Sequence, residues 1–108
     1  GPNMVNVPLT EGSGSEEFRA AVTERWMPAL DAHRPQLVFI SAGFDAHRED
    51  PLAGLRLTEA DYAWVTRELM AVARRHSDGR IVSALEGGYA LSALGRSVAE
   101  HLREFLGA

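Results

Sequence analysis

Two side chains that can do chemistry follow the predicted strands of this 108-residue chain. Asp45 comes after the apolar run 37–40, and a carboxylate oxygen is a good ligand for zinc. Tyr89 comes after the predicted strand 80–85, and a protonated phenol can donate a hydrogen bond to an oxygen that gains negative charge. Ligand sites in parallel sheets gather beyond the carboxyl ends of the strands. The sequence therefore predicts that Asp45 and Tyr89 belong to one site.

Each of these residues also has an ordinary structural interpretation. Asp45 can be a turn aspartate that bonds its own backbone, and Tyr89 can be a packed tyrosine at a strand-to-helix turn. Gly87 and Gly88 allow the backbone to bend sharply and to approach a ligand closely. His47 is near enough to Asp45 for both to reach one ion, but a solvent-facing loop histidine is the preferred interpretation.

The remaining candidate residues are interpreted as structural. His33, His76 and His101 lie near predicted helix ends or on helix faces and are expected at the surface or at its boundary. Asp50 precedes a proline and is expected to start a turn and to anchor the loop 43–57. Loops of that length without regular structure are uncommon and usually functional.

Patterns of apolar residues predict the elements that position the site. The predicted order is strand, helix, strand, helix, strand, helix, with strands at 4–9, 37–40 and 80–85. The first helix is expected to be capped by Ser13 or Ser15, and Pro28 is expected to kink it or to start a separate last turn. The continuous runs predict strands buried on both faces. This alternation predicts an α/β fold with a parallel sheet and flanking helices.

The two later helices have their own signals. Residues 58–61 resemble a capping box that opens the second helix. The apolar face of the last helix is predicted to contain Leu91, Leu94, Val98, Leu102 and Phe105.

Composition limits the class of protein. The net charge is −4, from 15 acidic and 11 basic side chains without a basic stripe, so no direct nucleic-acid partner is expected. The absence of cysteine excludes disulfides and thiolate metal sites. No apolar run approaches the roughly 20 residues that cross a bilayer, so no membrane association is expected and the chain is predicted to be cytoplasmic.

Four ordered segments together resemble the zinc-dependent histone deacetylase family: residues 6–9, 41–47, 50–52 and 85–89. The chain is most similar to class II-type deacetylases and bacterial acetylpolyamine amidohydrolases, and the resemblance covers nearly its whole length. It implies the carboxyl-terminal part of an arginase–deacetylase-like three-layer fold. Residues 1–108 would then be a partial deacetylase domain.

The resemblance also implies roles for the site residues. Asp45 matches a zinc ligand, Tyr89 matches the hydrogen-bond donor to the transition state, and Gly87 and Gly88 match backbone lining the substrate channel. The implied reaction is zinc-assisted hydrolysis of acetyl-lysine or acetylpolyamine amides. The family's tandem histidines and its other zinc ligands have no counterpart in this chain. Since catalytic zinc normally has three protein ligands, the isolated chain is expected to bind zinc weakly or not at all and to be inactive.

Two other classes of function remain open at this point. The first is a non-catalytic α/β interaction module, for which an exposed sheet edge would favour self-association. The second is a phosphate-binding, flavodoxin-like domain with its anion at the Gly87-Gly88 turn.

Overall fold

The computed structural model describes residues 3–107, which form two parallel strands and a series of helices. The elements are α1 (Ser15–Ala21), a π-helical turn (Val22–Trp26), α2 (Met27–His33), β1 (Val38–Ala42), α3 (Glu59–His76), β2 (Ile81–Leu85) and α4 (Leu91–Leu106). These strands and helices confirm the predicted α/β fold with a parallel sheet. None of the helices in this range is long and apolar enough to cross a membrane.

The first helical segment changes its winding ahead of Pro28. α1 continues through the π-helical turn into α2, and Pro28 occupies the first turn of α2. A proline ring inside an α-helix clashes with the carbonyl four residues earlier, and a π turn widens the backbone at that point. The predicted interruption at Pro28 is confirmed.

The start of this segment differs from the prediction, because Gly14 occupies the N-cap of α1. Ser13 Oγ donates to the Thr10 carbonyl at 2.7 Å. Ser15 Oγ donates to the Asp61 carboxylate at 2.5 Å. Both hydroxyls are thus engaged elsewhere, and neither serine caps the helix.

β1 and β2 pair in parallel, with Val38 beside Ile81 at one end and Ala42 beside Leu85 at the other. α3 forms the connection between them and starts at the predicted capping box, where Asp61 Oδ2 accepts from the Thr58 backbone N–H at 2.9 Å. The loop 43–57 has no regular helix or strand, as predicted, although His47 and Leu57 form an isolated bridge.

The helices cover one face of the sheet. Val38 and Ala42 are buried on that face, whereas Phe39 is 63% exposed and Val82 is 46% exposed on the other. The prediction of strands buried on both faces is wrong for residues 3–107, because no described element packs on the Phe39 side. We call Phe39 and Val82 the outer sheet face.

The predicted strand 4–9 is also wrong, since these residues have no regular structure. Asn3 and Val5 line a groove together with β1 residues such as Phe39, so the segment passes close to the free edge of β1. It makes no ladder hydrogen bonds there, and Pro8 has no N–H to contribute to one.

The buried apolar residues form two clusters. One joins Ala42, Phe44, Leu57 and Tyr62 at the carboxyl end of β1. The other joins Val38, Val72 and Ala73 at its amino end. Ile40 is partly buried and packs against both clusters, so it is the contact that they share.

The buried stripe of α4 consists of small and polar residues rather than the predicted large ones. Ala93, Ser97 and His101 are buried, whereas Leu91 and Leu102 are exposed. Leu94, Val98 and Phe105 remain partly buried at the side of this stripe. α4 therefore packs mainly through this stripe rather than through its large apolar residues, and the small Ala93 and Ser97 allow close approach of α3.

His101 is buried, contrary to the expectation for this residue. Thr66 Oγ1 donates to the Tyr62 carbonyl at 2.6 Å, so its oxygen can accept from His101 Nδ1 at 2.8 Å. His101 Nε2 then accepts from Ser83 Oγ at 2.9 Å. These bonds fit the neutral imidazole, and burial lowers the pKa of His101.

The lowered pKa of His101 predicts that acid destabilises the fold. Below about pH 6.5 the unfolded state binds this proton more readily than the folded state, so the free energy of unfolding should fall by up to about 1.4 kcal/mol per pH unit until the folded pKa is passed. Urea denaturation between pH 7.5 and 5 measures this slope. His101→Gln should reduce the slope, whereas the exposed control His33→Gln should retain it. Equal slopes for the wild type and His101→Gln would contradict the prediction.

Candidate functional site

The chain segments that follow β1 and β2 stay paired beyond the ends of the strands. The Glu86 backbone N–H donates to the Ala42 carbonyl at 2.8 Å, and the Phe44 N–H donates to the Gly87 carbonyl at 2.8 Å. Phe44 is buried and packs against Tyr62, with 4.9 Å between the ring centroids. The predicted meeting of the two segments at the carboxyl end of the sheet is confirmed.

The Asp45 carboxylate lies directly against the backbone of Gly87. A Cβ added at Gly87 would be 3.0 Å from both Asp45 Cγ and Oδ2, and one added at Gly43 would be 3.2 Å from Oδ1. Within residues 3–107 this carboxylate accepts no hydrogen bond from the backbone or from another side chain, so the turn-aspartate interpretation is wrong. A partly exposed carboxylate with free lone pairs is suited to bind a cation.

The turn between β2 and α4 presents Tyr89 to solvent. Gly88 has φ of +144°, and a Cβ there would lie 2.6 Å from Leu94 Cδ1, so the position requires glycine. The side chain of Tyr89 is 57% exposed, and its interpretation as a packed tyrosine is therefore wrong. Its hydroxyl is available to a ligand bound outside this turn.

Asp50 connects the loop 43–57 to the turn that carries Tyr89. Asp50 Oδ1 accepts from the Leu52 N–H at 3.0 Å, and Oδ2 accepts from the N–H groups of Tyr89 at 2.7 Å and Ala90 at 3.2 Å. The Leu52 bond, followed by those from Tyr89 and Ala90, outweighs burial and keeps the pKa of the Asp50 carboxyl below its usual value. The predicted anchoring role of Asp50 is confirmed.

His47 is fully buried, and the prediction of a solvent-facing histidine is wrong. Its Nδ1 accepts from the Glu49 backbone N–H at 3.1 Å, which places the proton of a neutral ring on Nε2. Nε2 lies 3.3 Å from Glu59 Oε2 at the start of α3. His47 follows no apolar periodicity in its irregular loop, so the sequence carries no signal for its burial.

His47, Glu49 and Glu59 place potential ligand atoms within 4.8 Å of one another. A cation could fit this spacing, but Arg96 of α4 already donates to Glu49 Oε2 and, at 2.5 Å, to Glu59 Oε1. The hydrogen bond from Arg96 is the main cause that lowers the pKa of Glu59 to about 2. Since Arg96 already supplies the positive charge to both carboxylates, this cluster fixes the loop to α3 and α4.

Tyr62 is a buried residue beneath the site that the sequence did not single out. Burial is the largest cause that raises the pKa of its hydroxyl, and the negative charge of Asp45 comes next. The phenol therefore keeps its proton at any physiological pH. Its placement in the second predicted helix gave no indication of this proximity to Asp45.

The contact between Asp45 and Gly87 predicts that alanine at position 87 displaces the Asp45 carboxylate and destabilises the chain. Gly87→Ala places a methyl group 3.0 Å from the carboxylate and should cost about 1–3 kcal/mol of the free energy of unfolding. Gly95→Ala is the matched control, because that helical position has open space around it and alanine should stabilise α4 by about 0.5–1 kcal/mol. Urea denaturation of both variants tests this, and a Gly87→Ala variant as stable as the wild type would contradict it.

Comparisons with known proteins agree on one family. The profile described as "Histone deacetylase domain" matches residues 1–105. Type-2 histone deacetylase 2 of Dictyostelium discoideum is 41% identical over 107 residues, which are 96% of this chain and 6% of that protein. The histone deacetylase-like amidohydrolase of Pseudomonas aeruginosa is 34% identical over 116 residues, with 94% of this chain and 30% of that protein covered.

A solved structure gives the same result for the fold. The crystal structure of the HDA15 HD domain superposes with a TM-score of 0.83 at 34% identity, over 91% of this chain and 26% of that one. The chain thus spans less than a third of the length of each of these three proteins. The superposition assigns the two strands and the helices to the arginase–deacetylase fold, and the chain belongs to the histone deacetylase family.

Proposed function

We propose that this chain contributes one zinc ligand, Asp45, and one hydrogen-bond donor, Tyr89, to the active site of a zinc-dependent deacetylase. The observation that carries the proposal is the Asp45 carboxylate, which accepts no hydrogen bond within residues 3–107 and lies against Gly87 in the turn that presents Tyr89. Membership of the histone deacetylase family supports the reaction class.

The residues present fit part of such a zinc site. Asp45 supplies one oxygen ligand, and a catalytic zinc normally has three protein ligands, so two further ligands must come from outside the described residues. Zinc, when bound, polarises an amide carbonyl and activates water. Tyr89 would donate its phenolic proton in a hydrogen bond to the carbonyl oxygen as negative charge develops there.

The proposed substrates are acetylated amines, either acetyl-lysine or an acetylpolyamine. The similar proteins from Dictyostelium and Pseudomonas are named as a histone deacetylase and as a deacetylase-like amidohydrolase. Gly87 and Gly88 present bare backbone beside Asp45 and Tyr89. A turn without side chains leaves space for the slender alkyl chain that both kinds of substrate carry.

The second candidate is a non-catalytic interaction module, which describes the chain when it is alone. The outer sheet face favours it, because Phe39 and Val82 are exposed next to each other in paired strands. Exposed apolar side chains on a two-stranded sheet promote edge-to-edge and face-to-face association. We propose self-association of the isolated chain through this surface.

A chimeric enzyme tests the catalytic proposal. Residues 3–107 replace the matching segment of the HDA15 HD domain, and hydrolysis of an acetyl-lysine peptide and of an acetylpolyamine is measured with zinc content. Asp45→Ala should lose zinc and activity together. Tyr89→Phe should keep zinc and lower kcat by about 10²–10³-fold, as expected for removal of one oxyanion donor.

Asp78→Asn is the control for this experiment, since the side chain of Asp78 is 92% exposed at the end of α3. It should leave both activity and zinc content unchanged. Full activity of the Tyr89→Phe chimera, or full zinc content of the Asp45→Ala chimera, would refute the assigned roles. Calorimetric titration of the isolated chain with zinc should show no tight stoichiometric binding.

Self-association is tested by sedimentation of the isolated chain over a range of concentrations. The double variant Phe39→Ser, Val82→Ser should remain monomeric at concentrations where the wild type associates, because it removes the apolar side chains of the outer sheet face. Leu106→Ser is the control, as Leu106 is equally apolar and 81% exposed but lies at the end of α4. An unchanged mass distribution of the double variant would place the interface elsewhere.

A further inference from the structure

We propose that Asp50 is a positioning residue for Tyr89: its carboxylate holds the backbone of Tyr89 and Ala90 and thereby sets where the phenol lies relative to Asp45. The inference rests on the proposed function, in which the Tyr89 hydroxyl acts on the substrate. Asp50, which lies in the loop 43–57, would thus orient the hydroxyl of Tyr89 in the turn before α4.

Tyr89 has few other constraints on its position. It follows Gly87 and Gly88, and a pair of glycines restricts the backbone less than any other dipeptide. Tyr89 is 57% exposed. Within residues 3–107, the hydrogen bond from its N–H to Asp50 Oδ2, at 2.7 Å, is the one that Tyr89 makes outside its own turn.

Asp50 is itself held firmly, as a positioning residue must be. It is only 5% exposed, its N–H donates to the His47 carbonyl at 2.9 Å, and its Oδ1 accepts from the Leu52 N–H. Oδ2 is left for the N–H groups of Tyr89 and Ala90. Hydrogen bonds from N–H groups to a buried carboxylate are stronger than those to a neutral acceptor.

Ala90 explains why a carboxylate is needed at this point. It occupies the N-cap of α4, and its methyl side chain cannot satisfy the free N–H groups of a helix start. Asp50, in the loop 43–57, accepts from the N–H of Ala90 itself, just before that first turn, and places a negative charge at the amino end of the helix dipole. The start of α4, and Tyr89 with it, is therefore fixed to that loop.

The same loop carries Asp45. Hydrogen bonds therefore connect the segment that carries Asp45 to the turn that carries Tyr89 at two places. Near the sheet, Phe44 N–H bonds the Gly87 carbonyl, and five residues past Asp45 the carboxylate of Asp50 bonds Tyr89. Moving Tyr89 away from Asp45 requires breaking one of these connections. A loss of Asp50 should therefore affect the action of Tyr89 rather than the binding of the metal.

The first test uses amide hydrogen exchange of the 108-residue chain. Asp50→Asn keeps the size of the side chain but removes its charge and leaves one acceptor oxygen, so any bond that Tyr89 and Ala90 retain is to a neutral, weaker acceptor. Protection of the Tyr89 and Ala90 amides should fall by about 10-fold or more, with little change at Val72 in the other apolar cluster. Asp78→Asn, at an exposed position beyond the end of α3, should leave Tyr89 protected. Unchanged protection of Tyr89 in Asp50→Asn would overturn the proposal.

If Asp50→Asn does not fold, a pH titration of the wild-type chain tests whether Asp50 holds Tyr89. Protonation of Asp50 at low pH weakens its hydrogen bonds, so the amide proton resonances of Tyr89 and Ala90 should both shift as this carboxyl titrates. Resonances that do not follow the titration of Asp50 would overturn the proposal.

The second test is a double-mutant cycle in the chimera with the HDA15 HD domain. Asp50→Asn should lower kcat by about 10-fold while KM and zinc content are retained, and it should have little further effect in the Tyr89→Phe background. Equal effects in both backgrounds would show that Asp50 does not act through Tyr89. A chimera without any deacetylase activity would refute the proposed function, and the amide exchange would still decide whether Asp50 holds Tyr89.

Discussion

The parallel pairing of β1 with β2 is the constraint on which the rest of the structure depends. Parallel strands need a long connection, and the loop 43–57 with α3 provides it. The register from Val38–Ile81 to Ala42–Leu85 carries directly into the bonds that join Phe44 and Gly87. A shift by one residue would turn Phe44 out of its apolar cluster and separate the Asp45 carboxylate from Gly87. The strand register of the sheet thus determines the positions of Asp45 and Gly87 in the candidate site.

Buried polar groups give this small fold much of its specificity. Asp61 accepts from Ser15, Arg19 and Thr58, and so joins α1 to the start of α3. His101 joins α4 to α3 and to β2 through two hydroxyl groups. Such groups are costly unless every partner is present, so they disfavour other packings of the same helices.

The sequence predicted the parts of the fold that depend on local signals. The capping box at Thr58, the interruption at Pro28 and the glycine turn before Tyr89 all follow from the chemistry of one or a few neighbouring residues. Burial was harder to predict, because it depends on distant partners: His47 and His101 are buried by elements far along the chain, and Phe39 is exposed because no described element covers it. The opposing placement of Asp45 and Gly87 likewise needs the strand register, which the sequence implied only through the parallel sheet.

Ile40 gives the two apolar clusters a common member, and this has a consequence for how the chain melts. Clusters that share few contacts can open separately, as independent cooperative units. Here the cluster under the candidate site and the one at the opposite end of β1 share the side chain of Ile40, and β1 and α3 each carry members of both clusters. The sharpness of the thermal transition should therefore depend on the shape of that side chain. A smaller residue at position 40 would weaken the coupling between the two clusters, and the thermal transition should become broader.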